Sequence, residues 1–199
     1  MIWIALTIAF MILTILRYHK KEKALTKPLA SAGFLATAVH FGAFDGAYGI
    51  AVFSALCASF VGDVLLIRKT KLLFMLGLFA FALAHIGFIV AFSLHEPVNI
   101  TLASAIIATL ATAVAATYVI PNVSEHVWMV AAYIVIISVM LGMAYTTPVP
   151  LVWAGASLFY LSDIFVARNA FIKKEDINHR IGLPVYYLAQ LCLACSVGI

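Results

Sequence analysis

LLFMLGLFAFALAHIGFIVAFS, residues 72–93, is a run of 22 residues with a single ionisable side chain, His85. At about 1.5 Å of rise per residue, a helix of this length crosses the roughly 30 Å hydrocarbon core of a bilayer. The run has no alternation of polar and apolar positions, so a half-buried strand is a poor description of it. In hydrocarbon the backbone must satisfy its own hydrogen bonds, and a helix does so within one segment. Outward from this run, breaks in hydropathy mark further apolar segments near 2–16, 28–44, 47–67, 99–120, 126–146, 150–168 and 181–198. The expected fold is therefore all-α: a polytopic membrane helix bundle of about eight transmembrane helices, one domain over residues 1–199. Composition agrees, with 65% hydrophobic and 10% charged residues, a mixture unlike that of soluble domains. The first two segments are short for a full crossing.

The positive charges give an independent test of the span count. All twelve Lys and Arg residues lie in or beside three connections: five within 17–27, three within 68–71 and four within 168–180. These are connections one, three and seven, which an eight-span chain places on one side. The positive-inside rule puts that side in the cytoplasm and both termini outside. The segment 2–16 has no basic stretch before it and Arg17, Lys20, Lys21 and Lys23 after it, the pattern of an anchor rather than a cleaved signal peptide. The net charge of +4 does not suggest nucleic acid, because no basic run is interleaved with aromatics on a polar face. Cys57, Cys192 and Cys195 all fall inside apolar segments and read as small packing residues.

An internal echo links the third and seventh segments. Gly62-Asp63-Val64-Leu65-Leu66-Ile67-Arg68 resembles Ser162-Asp163-Ile164-Phe165-Val166-Ala167-Arg168, at an offset of 100 residues. The segments that follow echo as well: Phe81-Ala82-Leu83-Ala84-His85 against Tyr186-Tyr187-Leu188-Ala189-Gln190. Two four-helix halves in parallel orientation are one reading of this pattern.

Ionisable groups at membrane depth cost several kcal/mol and face a bundle interior or a wet cavity, which makes the list of chemical candidates short. Asp63 and Asp163 each precede an arginine by five residues, about 7.5 Å of helix rise, so both lie at similar depth. One account pairs each with Lys27, Arg68 or Arg168 as a packing device; the other places both in a shared cavity, and matched depth favours the second. Ser59 shares a helix face with Asp63, Tyr160 with Asp163, and Tyr186 with Gln190, so these side chains and Tyr187 are candidate cavity lining. An aromatic belt at the interface is the ordinary explanation for such tyrosines. His85 is expected deeper than the aspartates, as a helix-bridging hydrogen-bond partner. The sequence has no His-x-x-x-His or Cys-His cluster, no Gly-x-Ser-x-Gly and no phosphate-cradling glycine loop, so neither a metal nor a cofactor is expected.

Taken together, Lys27-Pro28-Leu29, Gly62-Asp63-Val64-Leu65-Leu66, Gly77-Leu78-Phe79-Ala80-Phe81 with His85, Phe159-Tyr160-Leu161-Ser162-Asp163 and Tyr186-Tyr187-Leu188-Ala189-Gln190 resemble, in order and spacing, the YhhN-like family of polytopic membrane proteins. That family includes the lysoplasmalogenases, or alkenylglycerophospholipid hydrolases. Phe88 departs from the pattern, standing where many relatives have a tyrosine. The resemblance implies hydrolysis of the vinyl-ether bond of a lysophospholipid, the lysoplasmalogen, within the lipid bilayer. The residues fit that chemistry: one acid and one base suffice, so Asp63 and Asp163 are the candidate catalytic pair, with acid and base unassigned. Lys27, with Arg68 or Arg168, is a candidate for the lipid phosphate. Two other classes use similar residues: a proton-coupled lipid or metabolite transporter, and a metal-dependent hydrolase with Asp63, Asp163 and His85 as ligands. The compact form suggests a bacterial inner membrane.

Overall fold

The computed structural model describes residues 2–16, 23–68, 70–95 and 100–199, without the side chains of Lys23 and Ala24. Arg17, Lys20, Lys21, Lys69 and Glu96 lie outside the described residues. The described residues form eight α-helices: α1 (Ile2–Leu16), α2 (Lys23–His40), α3 (Ala47–Leu65), α4 (Lys71–Ser93), α5 (Leu102–Val119), α6 (Val127–Ala144), α7 (Pro150–Ala167) and α8 (Asp176–Cys195). A 3-10 turn extends α5 to Asn122, and a π-helical turn carries α7 on to Ile172. Six of the eight, α3 to α8, are long and apolar enough to cross a membrane; α1 is apolar but only 15 residues long. The protein is a multi-pass helical membrane bundle.

Two boundaries differ from the hydropathy reading in the same way. α2 begins at Lys23 rather than 28, and α8 at Asp176 rather than 181. Hydropathy marks where lipid begins, whereas these helices continue past the apolar run. The added turns carry Lys27, Asn178 and His179 to the mouth of the central cavity.

The halves pack alike. The closest hairpin in the first half, α3 on α4, has its counterpart in α7 on α8, and α1 on α2 in α5 on α6. Across the halves, α4 lies against α6 as α8 lies against α2. Lipid supplies no hydrophobic drive for this association, so close packing must supply it. Phe34, Phe88, Phe92, Phe159 and Tyr187 are fully buried at the centre. At Gly62 an added Cβ would lie 2.7 Å from the Phe81 ring, so glycine is what lets α4 lie directly on α3 beside Asp63. Phe81, Phe159 and Tyr186 then meet edge to face, with centroids 5.5 to 6.2 Å apart, as a partition in the core.

Candidate active site

Lys27 and Ser31 sit one turn apart on α2 and so share a face, and that face meets the last turn of α3. There Lys27 Nζ lies 2.9 Å from Asp63 Oδ1. Ser31 Oγ and Tyr186 Oη, the latter from α8, each donate to Asp63 Oδ2 at 2.7 Å. Tyr187 supports the arrangement from behind, donating to the Lys27 carbonyl at 3.1 Å with its hydroxyl 3.2 Å from Ser31 Oγ. The Asp63 side chain is 2% exposed. These three partners of its carboxylate are all donors, the environment of an acceptor-only group, and charge-assisted bonds of this kind are the strong ones.

Asp163, on α7, has a different set of partners. His85 Nε2, from α4, lies 3.2 Å from Asp163 Oδ2, and Tyr133 Oη, from α6, donates to the same oxygen at 2.5 Å. His85 Nε2 and Tyr133 Oη are themselves 3.1 Å apart, closing a triangle. Imidazole, phenol and carboxyl can each give or take a proton, so this triangle can relay one. Among the described residues His85 Nδ1 is buried without a hydrogen-bond partner. The Asp163 side chain is 15% exposed, more than that of Asp63.

Both carboxylates line one cavity of about 500 Å³, with Lys27, Tyr133 and Tyr186 in its wall. Arg68, Lys71 and Lys174 stand at its mouth, on the face that carries the basic connections. Lys71 is tied to Glu125. Arg168 does not line the cavity and pairs with neither aspartate; it holds Glu175 at 2.8 Å and Asn178 at 2.5 Å, joining α7 to the start of α8. Lys173 and Arg168 hold the Glu175 carboxyl below the usual range, Lys173 most strongly.

The sequence expectations meet this geometry unevenly. Asp63, Asp163, Lys27 and Tyr186 come together around the cavity, with Tyr187 one layer behind. His85 reaches from α4 to Asp163 on α7, as a helix-bridging partner, but is not among the residues that line the cavity. Tyr160 turns away and donates to the Ala111 carbonyl at 2.6 Å. Ser59 and Gln190 lie one turn beyond Asp63 and Tyr186, buried, off the cavity wall and with no side-chain partner among the described residues. Two residues went unnoticed in the sequence. Ser31 carries no signal, whereas Tyr133 is a lone hydroxyl within the apolar run 128–137. Phe88 stacks on Phe92 in the core, and it is Tyr133 that brings a hydroxyl to His85. Among the described residues no three His, Cys, Asp or Glu side chains are arranged to hold a metal ion.

The YhhN family model matches residues 22–197. The chain belongs to the YhhN family. Relatives of this YhhN-family protein include lysoplasmalogenase TMEM86A of Bos taurus, 26% identical over 156 residues covering 73% of this chain and 64% of that protein. Lysoplasmalogenase TMEM86B of Sus scrofa is 31% identical over 153 residues, covering 77% of this chain and 66% of that protein. The chain thus spans just under two thirds of the length of these relatives. No solved structure matches it.

Proposed function

We propose that this YhhN-family protein is a membrane-embedded hydrolase that cleaves the vinyl-ether bond of a lysoplasmalogen, giving a fatty aldehyde and the glycerophospho head group. The observation that carries the reading is the pair of carboxylates, from equivalent positions of two halves, lining one cavity with a basic mouth. The names of the mammalian relatives point to the same substrate. The basic face is read as cytoplasmic, with both termini outside, in a bacterial inner membrane.

The two carboxylates divide the work. Asp163, in its triangle with His85 and Tyr133, delivers a proton to the vinyl carbon beta to the ether oxygen. The oxocarbenium ion that results is stabilised by the nearby anion of Asp63, fixed by Lys27, Ser31 and Tyr186. Water adds to the carbon bearing the oxygen and loses its proton to the Asp163 triangle. The hemiacetal collapses as its hydroxyl proton leaves and the ether oxygen gains one, so aldehyde and alcohol form and Asp163 regains its proton. Arg68 and Lys174 at the mouth suit the phosphate, as Lys27 is already engaged with Asp63.

The test is fatty-aldehyde release by the purified protein in detergent from a lysoplasmalogen, with the matching ester lysophospholipid as control. Aldehyde from the vinyl ether alone, abolished in Asp163→Asn, is the expected result. A folded wild-type protein that releases none overturns the reading, and uptake driven by a pH gradient would then favour transport.

A further inference from the structure

A second, smaller cavity adjoins the central one at Asp163. This side arm lies between α5, α6 and α7, bounded by Ala115, Val119, Ile134, Ile164 and Phe171. Phe74, Leu78, Tyr133, Asp163 and Val166 line both spaces and form the elbow between them. The arms differ in chemistry. The main cavity carries Lys27, Arg68, Lys71 and Lys174, whereas beyond the elbow every lining residue is apolar except Tyr160. Tyr160 spends its hydroxyl on the Ala111 carbonyl, so it offers the arm a ring and no free donor. Such an arm gains nothing from water or a head group and suits hydrocarbon alone.

We propose that the side arm receives the aliphatic chain of a single-chain amphiphile, and that Ala115 and Ile134 set which chains it accepts. This rests on the reading of the central cavity as a lysolipid site, and it adds where the chain runs. The occupant follows from the shared wall and from charge: a molecule with an anionic head in the basic cavity and an alkyl tail in the apolar one must bend at the residues common to both. The bond joining chain to head then lies beside Asp163 and Tyr133 rather than beside Asp63. The arm is only about 50 Å³, so it holds the part of the chain nearest that bond. Ala115 is 2% exposed and Ile134 6%, and they face each other across α5 and α6 in one buried cluster. A larger side chain at 115 closes the arm and a smaller one at 134 widens it.

A lysophosphatidylcholine carrying a diazirine in its chain, photolysed on the intact protein in detergent and mapped by mass spectrometry, reads chain position without requiring turnover. Crosslinks should concentrate on Ala115, Val119, Ile134, Ile164 and Phe171, and Ala115→Leu should remove them. Crosslinks confined to the outward residues Leu110 and Val114, or to α1 and α2, would overturn the proposal. Ile134→Ala keeps the test open should Ala115→Leu misfold. Its crosslinking at Ile164 and Phe171 should rise, and its preference among lysoplasmalogens should move toward bulkier, branched chains by about tenfold in kcat/KM. An unchanged crosslink pattern and chain preference in that variant would count against the arm. Crosslinks in the arm of a protein that releases no aldehyde would sink the hydrolase reading and leave this one standing.

Discussion

Asp63 and Asp163 occupy equivalent places in two halves that pack alike, yet the halves equip them differently. Asp63 receives an ammonium from α2 and hydroxyls from α2 and α8. Asp163 receives an imidazole from α4 and a phenol from α6. In each case the hairpin partner of the other half reaches across: α8 serves the first aspartate and α4 the second. They do so from different turns. Tyr186 aligns with Phe81, which has no hydroxyl to give, and His85 aligns with Gln190, whose amide has no partner among the described residues. Two halves that pack alike thus hold one carboxylate surrounded by donors and one joined to groups that can exchange protons. Depth and residue type alone do not assign acid–base roles; the partners do.

Substitutions that break this division should differ in size. Asp163→Asn removes the proposed proton carrier and should lower turnover about a thousandfold with little change in melting temperature, measured by aldehyde release beside a thermal melt. Lys27→Met leaves a buried carboxylate without its cation; it should cost about 3 kcal/mol in denaturant unfolding, and equal stability to wild type would contradict the assignment. His85→Gln, which copies the other half's residue onto α4, should slow turnover about tenfold, whereas undiminished turnover would remove His85 from the relay. Gln190→Leu should instead raise stability by about 1 kcal/mol, because it deletes a buried amide that lacks partners.

The smallest effect concerns the tie between the α7 and α8 ends. The Glu175 carboxyl is held low in the folded protein by Lys173 and Arg168, so its contribution is present above the unfolded glutamate value of about 4.3 and is lost as pH falls through the folded value. Glu175→Gln should therefore melt slightly below wild type at neutral pH, and the gap should close in acid. A gap that widened in acid would reverse the sign.

Much of the fold was legible because transmembrane helices announce themselves locally. The charge pattern supported eight segments, and the two aspartates stood out as ionisable groups at matched depth. The site was only half legible. Lys27 and Tyr186 line the cavity with the two aspartates and Tyr187 stands one layer behind it, but Ser59, Tyr160 and Gln190 share a helix face with these residues without lining that cavity. A one-turn spacing fixes a face; it does not fix how far along the helix a cavity extends. Tyr133 lay on a helix that no motif connected to the aspartates, and Ser31 followed Lys27 by one turn with no signal of its own.

What the sequence determined by itself was each segment's helical conformation, its apolar character and the presence of two carboxylates at matching positions of two such segments. Those properties follow from the transfer of local side chains and backbone between water and lipid. Only the tertiary structure decided that Lys27 goes to Asp63 and His85 to Asp163, and that a small apolar cavity adjoins the central one beside Tyr133. Those choices depend on how each helix is rotated and how far it slides past its neighbours. Close contacts such as that of Gly62 with Phe81, far apart in sequence, fix that rotation and offset, and no property of a single segment encodes them.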